Sequence, residues 1–249
     1  MAETDASEFV RLDAALDRSL GALRATAGPL TVLFSGGVDS SLLAWELRAR
    51  EGLLLLTVGT VRSPDFEAGR TAAARLGLPW IAATVGATEL DRMAARLAVH
   101  LTGCDSLTRS VVLAIALALD GSPPGPAIVG QGIDELFLGY AHFRGLSPAD
   151  ASARSDADLD RLERRDWPLT QRVAAHLDRT VLAPYLDPGF VAAARAVAVE
   201  RRLADPVPKA FFRAWAVHRG LPEDLARRPK RALQYGSGVD RLLRGRPRP

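Results

Sequence analysis

Short apolar runs alternate with helical patterns over the first 145 residues, and this restricts the fold more than any other feature. The runs are LTVLF (30–34), GLLLLTVGT (52–60), PWIAATV (79–85) and GPAIVG (125–130). Between them, SSLLAWELRAR (40–50), PDFEAGRTAAARLGL (64–78), residues 88–101 and SLTRSVVLAIALAL (106–119) read as helices, the second ended by Gly77. Apolar runs of strand length joined by helices predict parallel pairing with helical crossovers, an α/β fold with a doubly wound parallel sheet. Residues 7–27 add a leading helix on Phe9, Val10, Leu12, Leu16, Leu20 and Leu23. From about residue 146 the strands stop, and Pro184, Pro188, Pro206, Pro208, Pro222 and Pro229 punctuate a mainly helical part. The expected organisation is one domain over 1–249, with an α/β core at 28–145, a helical part at 146–243 and a disordered tail at 244–249.

The stretch LTVLFSGGVDSSLLAWEL (30–47) breaks the first strand with glycines and serines and then starts a helix at once. In an open parallel sheet, ligands bind beyond the carboxyl ends of the strands. Gly36 and Gly37 allow close backbone approach and positive φ. The helix that follows turns its first N–H groups and the positive end of its dipole toward the same place, and Ser35, Ser40 and Ser41 add hydroxyls. This is a phosphate cradle. It lacks the lysine of G-x-x-x-x-G-K-[ST], so it is not a Walker loop. Asp39 would repel phosphate unless a magnesium ion lay between them.

Composition narrows the class further. The single cysteine, Cys104, excludes an intrachain disulfide framework and a cysteine-rich metal site, and the four histidines lack ligand spacing. No stretch is apolar enough for a membrane helix, and the N-terminus lacks a signal pattern, so the expectation is a soluble cytoplasmic protein. From Arg219 onward, nine Arg or Lys stand against three Asp or Glu, a basic end suited to phosphate in a nucleotide or a nucleic acid. The only lysines are Lys209 and Lys230, in a chain that otherwise uses arginine. Of the two, Lys209 reads as structural.

The string SGGVDSS (35–41) resembles the signature of the PP-loop ATP pyrophosphatases. Within them, AIVGQGIDELFLGYAHF (127–143) looks like the SGEGSDELFGGY segment of the asparagine synthetase synthetase domain, through Gly130, Gly132, Asp134, Glu135, Leu136, Phe137, Gly139 and Tyr140. Weaker matches follow in the family's order: 57–80, 104–118, VLAPYLDPGFVAAA (181–194), PKAFFRAW (208–215) and LPEDLARRPKRALQYGSG (221–238). The resemblance covers about residues 10–243. It implies a PP-loop (HUP-like) fold and cleavage of ATP between its α and β phosphates, adenylating a carboxylate for attack by an amine. By that resemblance Ser35, Gly36, Gly37, Asp39, Ser40, Val58, Gly59 and Gly130 hold ATP, with Val58 and Gly59 at the adenine. Asp39 and Asp134 hold Mg2+, and Lys230, Gln131, Arg109 and Glu135 serve the chemistry. Ser237 is expected either to cap a helix or to face phosphate.

Two departures from the family pattern matter. Members that use glutamine carry a cysteine after the initiator methionine and a glutaminase domain, whereas this sequence has Ala2 there and a short helix before the cradle. Ammonia is then expected from solution or from a glutaminase partner, or the nucleophile is another amine. The loop acid of the family is replaced by Gln131, an amide that exchanges hydrogen bonds but not protons. The alternatives are a tRNA-modifying PP-loop enzyme, with nucleic acid as a partner through the basic end, and a non-catalytic nucleotide-binding module.

Overall fold

The computed structural model describes residues 2–61, 63–203, 207–228 and 236–244. Lys230 and the last five residues of the expected tail, 245–249, lie outside them. Five parallel strands form one sheet: β1 (Leu30–Leu33), β2 (Leu53–Gly59), β3 (Trp80–Thr84), β4 (Ala127–Ile128) and β5 (Val181–Leu182), in the order β3-β2-β1-β4-β5. Each of the three anticipated crossovers is present. α2 (Val38–Glu46) leads from β1 to β2, and α3 (Pro64–Leu76) from β2 to β3. α4 (Ala87–Arg96), α5 (Ala98–Leu101) and α6 (Ser106–Asp120) lead from β3 to β4. The single helix expected over 88–101 is therefore two, interrupted at Leu97.

The fifth strand corrects the expectation that strands end near residue 145. Val181 and Leu182 pair with Ala127 and Ile128, a run too short to show alternation in the sequence. The connection to it carries α7 (Ile133–Leu136), α8 (Pro148–Arg161) and α9 (Trp167–His176), with a π-helical turn at 162–166 joining the last two. Beyond β5 come α10 (Pro188–Arg195), α11 (Val199–Leu203), α12 (Ala210–His218), α13 (Glu223–Ala226) and α14 (Val239–Arg244).

Strand side chains alternate between two apolar layers, as period-two geometry requires. Leu30, Val32, Leu53, Leu55 and Ile128 point to a core shared with α2, α10, α12 and α1 (Ala2–Ala25). Leu56, Val58, Ala127 and Val129 point to the other face, against α4, α6 and α9. Leu12, Leu16 and Leu20 form one fully buried stripe at four-residue spacing, which docks α1 on the first layer. Local signals agree with this layout. Ser63 caps α3 through Phe66 N–H with Pro64 in the first turn, and Gly77 ends the helix at φ 67°.

An ionic cluster ties the leading helix to the sheet layer. Arg219, at the end of α12, donates to Glu46 of α2 at 2.5 and 2.9 Å and to Asp17 of α1 at 2.8 Å. The bond from Arg219, helped by Arg24 and opposed by partial burial, holds the Asp17 carboxyl below its ordinary value of 3.8. A depressed carboxyl adds stability above its unfolded pKa and loses it as the pH falls through the folded one. Arg219→Met is therefore expected to lower the melting temperature at neutral pH. It should also flatten the loss of stability as the pH falls below the ordinary carboxyl value of 3.8; melting curves into that acid range check this, and parallel wild-type and variant curves would contradict it.

Candidate functional site

The strand order reverses between β1 and β4, which makes their carboxyl ends the switch point of the sheet. The loop after β1 is the phosphate cradle, and the loop after β4 is the GQGIDEL turn. The sequence patterns put chemistry on these two loops, and the topology makes them neighbours. A Cβ added at Gly130 would lie 3.1 Å from the Cβ of Asp39.

The cradle is held by its own polar groups. The hydroxyl of Ser35 accepts from Gly37 N–H at 3.3 Å and meets the Ser40 hydroxyl at 3.4 Å, while Ser40 Oγ donates to the Gly37 carbonyl at 3.2 Å. No side chain caps α2 at Gly37. Ser41 is fully buried, with an orphaned hydroxyl. Gly36 takes φ 68°, and a Cβ there would come within 2.5 Å of Arg228 Nη1 and 2.6 Å of the Ala68 carbonyl oxygen. Positive φ alone costs a residue with a side chain about 1–2 kcal/mol. Gly36→Ala is thus expected to destabilise the fold by at least that much and to abolish nucleotide binding. Thermal melts and nucleotide titration test it, and a variant binding as wild type would show the cradle to be idle.

Two side chains absent from the sequence-level site residues fix the cradle from outside. Arg228 donates to the Gly36 carbonyl at 2.7 Å, and its own backbone carbonyl is held by Arg213 Nη1 at 2.8 Å. Tyr185, fully buried, donates from its hydroxyl to the Asp39 carbonyl at 3.0 Å. Burial first, then the Asp39 charge, pushes the Tyr185 phenol well above its usual range, so it remains a donor. Each of these residues lies inside a stretch whose sequence resembles the family. The match gave no sign that their partners would be backbone carbonyls of the first loop.

The centre of the site is an ion triad. Lys209 Nζ lies 2.6 and 2.7 Å from the two carboxylate oxygens of Asp39 and 2.8 Å from Asp134 Oδ1. Its side chain is 1% exposed, against 22% for Asp39 and 21% for Asp134. Burial, the largest influence, works to lower the Lys209 pKa, but Asp134 and then Asp39 outweigh it and raise the value above the ordinary 10.5. The ammonium is charged throughout the neutral range. Lys209 also has φ 62° just before α12, a left-handed conformation held in place by its surroundings. Gly139 is required here because a Cβ would collide with the Asp134 carboxylate and come within 3.0 Å of Lys209 Cε. The sequence reads Lys209 as structural, and the structure places its ammonium between Asp39 and Asp134. Its one sequence signal was rarity in an arginine-rich chain.

The remaining sequence-predicted residues divide. Glu135 is buried, accepts from the Tyr140 hydroxyl at 2.7 Å, and has its backbone carbonyl bound by Ser155 Oγ at 2.8 Å. It braces the second loop. Gln131 lies between Gly130, packed on Asp39, and Gly132, packed on Leu186. Its Oε1 is buried and without a hydrogen-bond partner among the described residues. Arg109 is exposed on α6 and donates to the Leu101 carbonyl at 3.5 Å, with no hydrogen bond or ion pair to the triad among the described residues. Val58 and Gly59 end β2, where the chain from Gly236 to Val239 closes over them. Ser237 accepts from Thr60 N–H through its carbonyl at 2.9 Å and from Val239 N–H through its hydroxyl at 3.3 Å. Ser237 thus braces the start of α14. Lys230 lies outside the described residues.

Among the described residues, no group of three or more metal-ligating side chains is present, and no helix is long and apolar enough to cross a membrane. The carboxylate pair still suits Mg2+. Two hard oxygen donors converge on one cation, and one ammonium leaves the pair with net negative charge. Mg2+ typically needs only one or two carboxylates, phosphate supplying the rest. A groove of about 680 Å³ lies between Trp167 and Arg195, and none of the triad lines it.

Comparison with known proteins identifies a family. Residues 11–183 match the asparagine synthase family. A putative glutamine-hydrolysing asparagine synthetase of Methanocaldococcus jannaschii is 25% identical over 96% of this chain and 51% of its own length. An asparagine synthetase domain-containing protein of Drosophila melanogaster is 26% identical over 45% of this chain and 22% of its own. This chain thus spans about half the length of the first relative and less of the second. An NH3-dependent NAD synthetase of Campylobacter jejuni aligns with a TM-score of 0.39 at 18% identity, over 77% of this chain and 93% of its own, too distant to bear on function. The carboxylates of the two switch-point loops lie in a matched region that covers most of the chain, and the chain belongs to the asparagine synthase family.

Proposed function

We propose that this protein is an ATP-dependent ligase that activates a carboxylate as its acyl-adenylate and passes it to ammonia or another amine, releasing AMP and pyrophosphate. The observation that supports this most is the convergence of Asp39 and Asp134 on one cation beside an uncapped helix N-terminus. The family supports an ATP-using ligase; the adenylate, its acid and its amine are the proposal.

In this reading the cradle binds ATP. Ser35, Ser40 and the backbone of Gly36 and Gly37 receive its phosphates, and Val58, Gly59 and Gly130 border the nucleotide. Asp39 and Asp134 would hold Mg2+, which would supply positive charge to the phosphates. Lys209 keeps the two carboxylates from repelling each other before the ion arrives. Glu135 and Tyr140 hold the second loop in register with the first. Lys230 supplies an ammonium to the developing charge of the adenylation and attack steps. Lys230→Ala is expected to reduce turnover about a hundredfold, the usual cost of a positioned charge, with nucleotide affinity little changed. Single-turnover rates and ATP titration separate these effects, and a loss confined to affinity would contradict that role.

The direct test is a screen for pyrophosphate release from ATP and Mg2+ over the common amino acids, with and without ammonium. Release that depends on one carboxylate is expected. No release with any of them would reject the reading.

A further inference from the structure

We infer that the groove between α9 and α10 binds an organic ammonium ion, a small amine with an aliphatic or aromatic body. The site lies outside the triad and does not depend on the ligase reading. Four observations carry it.

First, the groove has the size and place of a ligand site. Its volume of about 680 Å³ falls in the range of roughly 300–1,000 Å³ typical of small-molecule pockets. Leu186, on its wall, ends the helical turn Pro184–Leu186 that follows β5. The groove therefore opens at the carboxyl edge of the sheet, where ligands of such folds gather. Leu186 also backs the second loop, since a Cβ added at Gly132 would lie 2.7 Å from Leu186 Cδ2. Second, the walls are apolar. Pro188 and Val191 of α10 line the groove together with Trp167 at the start of α9. Trp167 is half-buried and packs on the second apolar layer. An indole face is the best aromatic surface for a cation. Third, the π-helical turn at 162–166 sets Glu163 and Trp167 on one groove. Such turns are rare and occur often at functional sites.

Fourth, the charges leave one carboxylate over. Glu163 and Arg195 are the charged residues that line the groove. Arg195 is already paired with Asp156 at 2.6 Å. The arginines beside Glu163 are paired too: Arg161 with Asp105 at 2.7 Å, Arg164 with Asp160 at 2.5 Å and Arg165 with Asp105 at 3.7 Å. Glu163 has no hydrogen bond or ion pair among the described residues. A carboxylate without a partner, next to an indole on an apolar wall, complements a cation with an apolar body. An anion would meet Glu163 and no unpaired arginine. A bare ammonium ion would leave the apolar walls unused.

The experiment follows the indole N–H resonances of the nitrogen-labelled protein, with no ATP present. The chain has four tryptophans, and Trp167→Phe assigns the one in the groove. The probe is benzylammonium chloride, with benzyl alcohol and benzoate as its neutral and anionic counterparts of similar shape. Benzylammonium is expected to shift the Trp167 resonance saturably and to leave those of Trp45, Trp80 and Trp215 in place. Benzyl alcohol and benzoate should bind at least about fivefold more weakly. Glu163→Gln, a change at an exposed position, should weaken benzylammonium about fivefold, as loss of an ion pair near solvent can, and abolish its advantage over benzyl alcohol. No saturable shift at Trp167 overturns the inference, as does equal affinity for the three probes or unchanged affinity in Glu163→Gln. A protein that binds benzylammonium in this way but releases no pyrophosphate supports the groove and rejects the ligase reading. One that forms AMP but does not bind the probe rejects the groove alone.

Discussion

Asp39→Asn and Asp134→Asn are each expected to reduce magnesium-dependent AMP formation at least about a thousandfold while leaving the secondary structure intact. The two carboxylates come from loops about a hundred residues apart in sequence that the strand order β3-β2-β1-β4-β5 places side by side. An amide at either position keeps the shape but removes a charge from a pair that must hold a divalent ion against polyphosphate. The same substitutions leave Lys209 with one carboxylate partner instead of two. Circular dichroism and AMP release at graded Mg2+ distinguish the outcomes. Turnover near wild type in either variant, with unchanged Mg2+ dependence, would contradict a shared ion.

Lys209→Met should produce the largest change in stability. It removes a buried ammonium and leaves Asp39 and Asp134 facing each other across an apolar side chain. Removing one partner of a buried ion pair typically costs about 3–5 kcal/mol. Both carboxylates keep some solvent contact, so the lower figure applies. In a domain of this size that is a fall of about 6–12 °C in melting temperature. Added Mg2+ should recover part of the loss in the variant and do much less for the wild type, because the variant has lost the cation that balances the pair. Equal melting temperatures without Mg2+, or no differential effect of the ion, would show that the triad carries little energy.

The fold was legible where the strands were long. LTVLF, GLLLLTVGT and PWIAATV became β1, β2 and β3; the first two are apolar runs largely buried in the sheet, and the helix after β2 carries its own cap at Ser63 and its stop at Gly77. β5 was hidden because a two-residue strand has no period to read. The break at Leu97 was hidden because apolar spacing continues from Leu90 through Leu101.

Legibility of the site followed the same logic. Asp39, Asp134 and the glycines of both loops could be placed from the rule that ligands gather at strand ends. Lys209 could not, since its role depends on a tertiary approach from before α12 to two distant loops, and a lysine beside a helix looks like many others. Arg228 and Tyr185 escaped for a related reason. They bind backbone carbonyls at Gly36 and Asp39, and a carbonyl partner leaves no mark on the residue types of either partner. Arg109 shows the converse. Its matching position in the sequence places it on α6 with a bond to Leu101, and no described contact links it to the triad.

The most direct test of the central claim is the identity of the products from ATP labelled in its α phosphate, turned over with Mg2+, the activating carboxylate and ammonium. The account predicts labelled AMP, with pyrophosphate and amide in equal amounts. Labelled ADP with inorganic phosphate would contradict it, since cleavage would then fall between the β and γ phosphates.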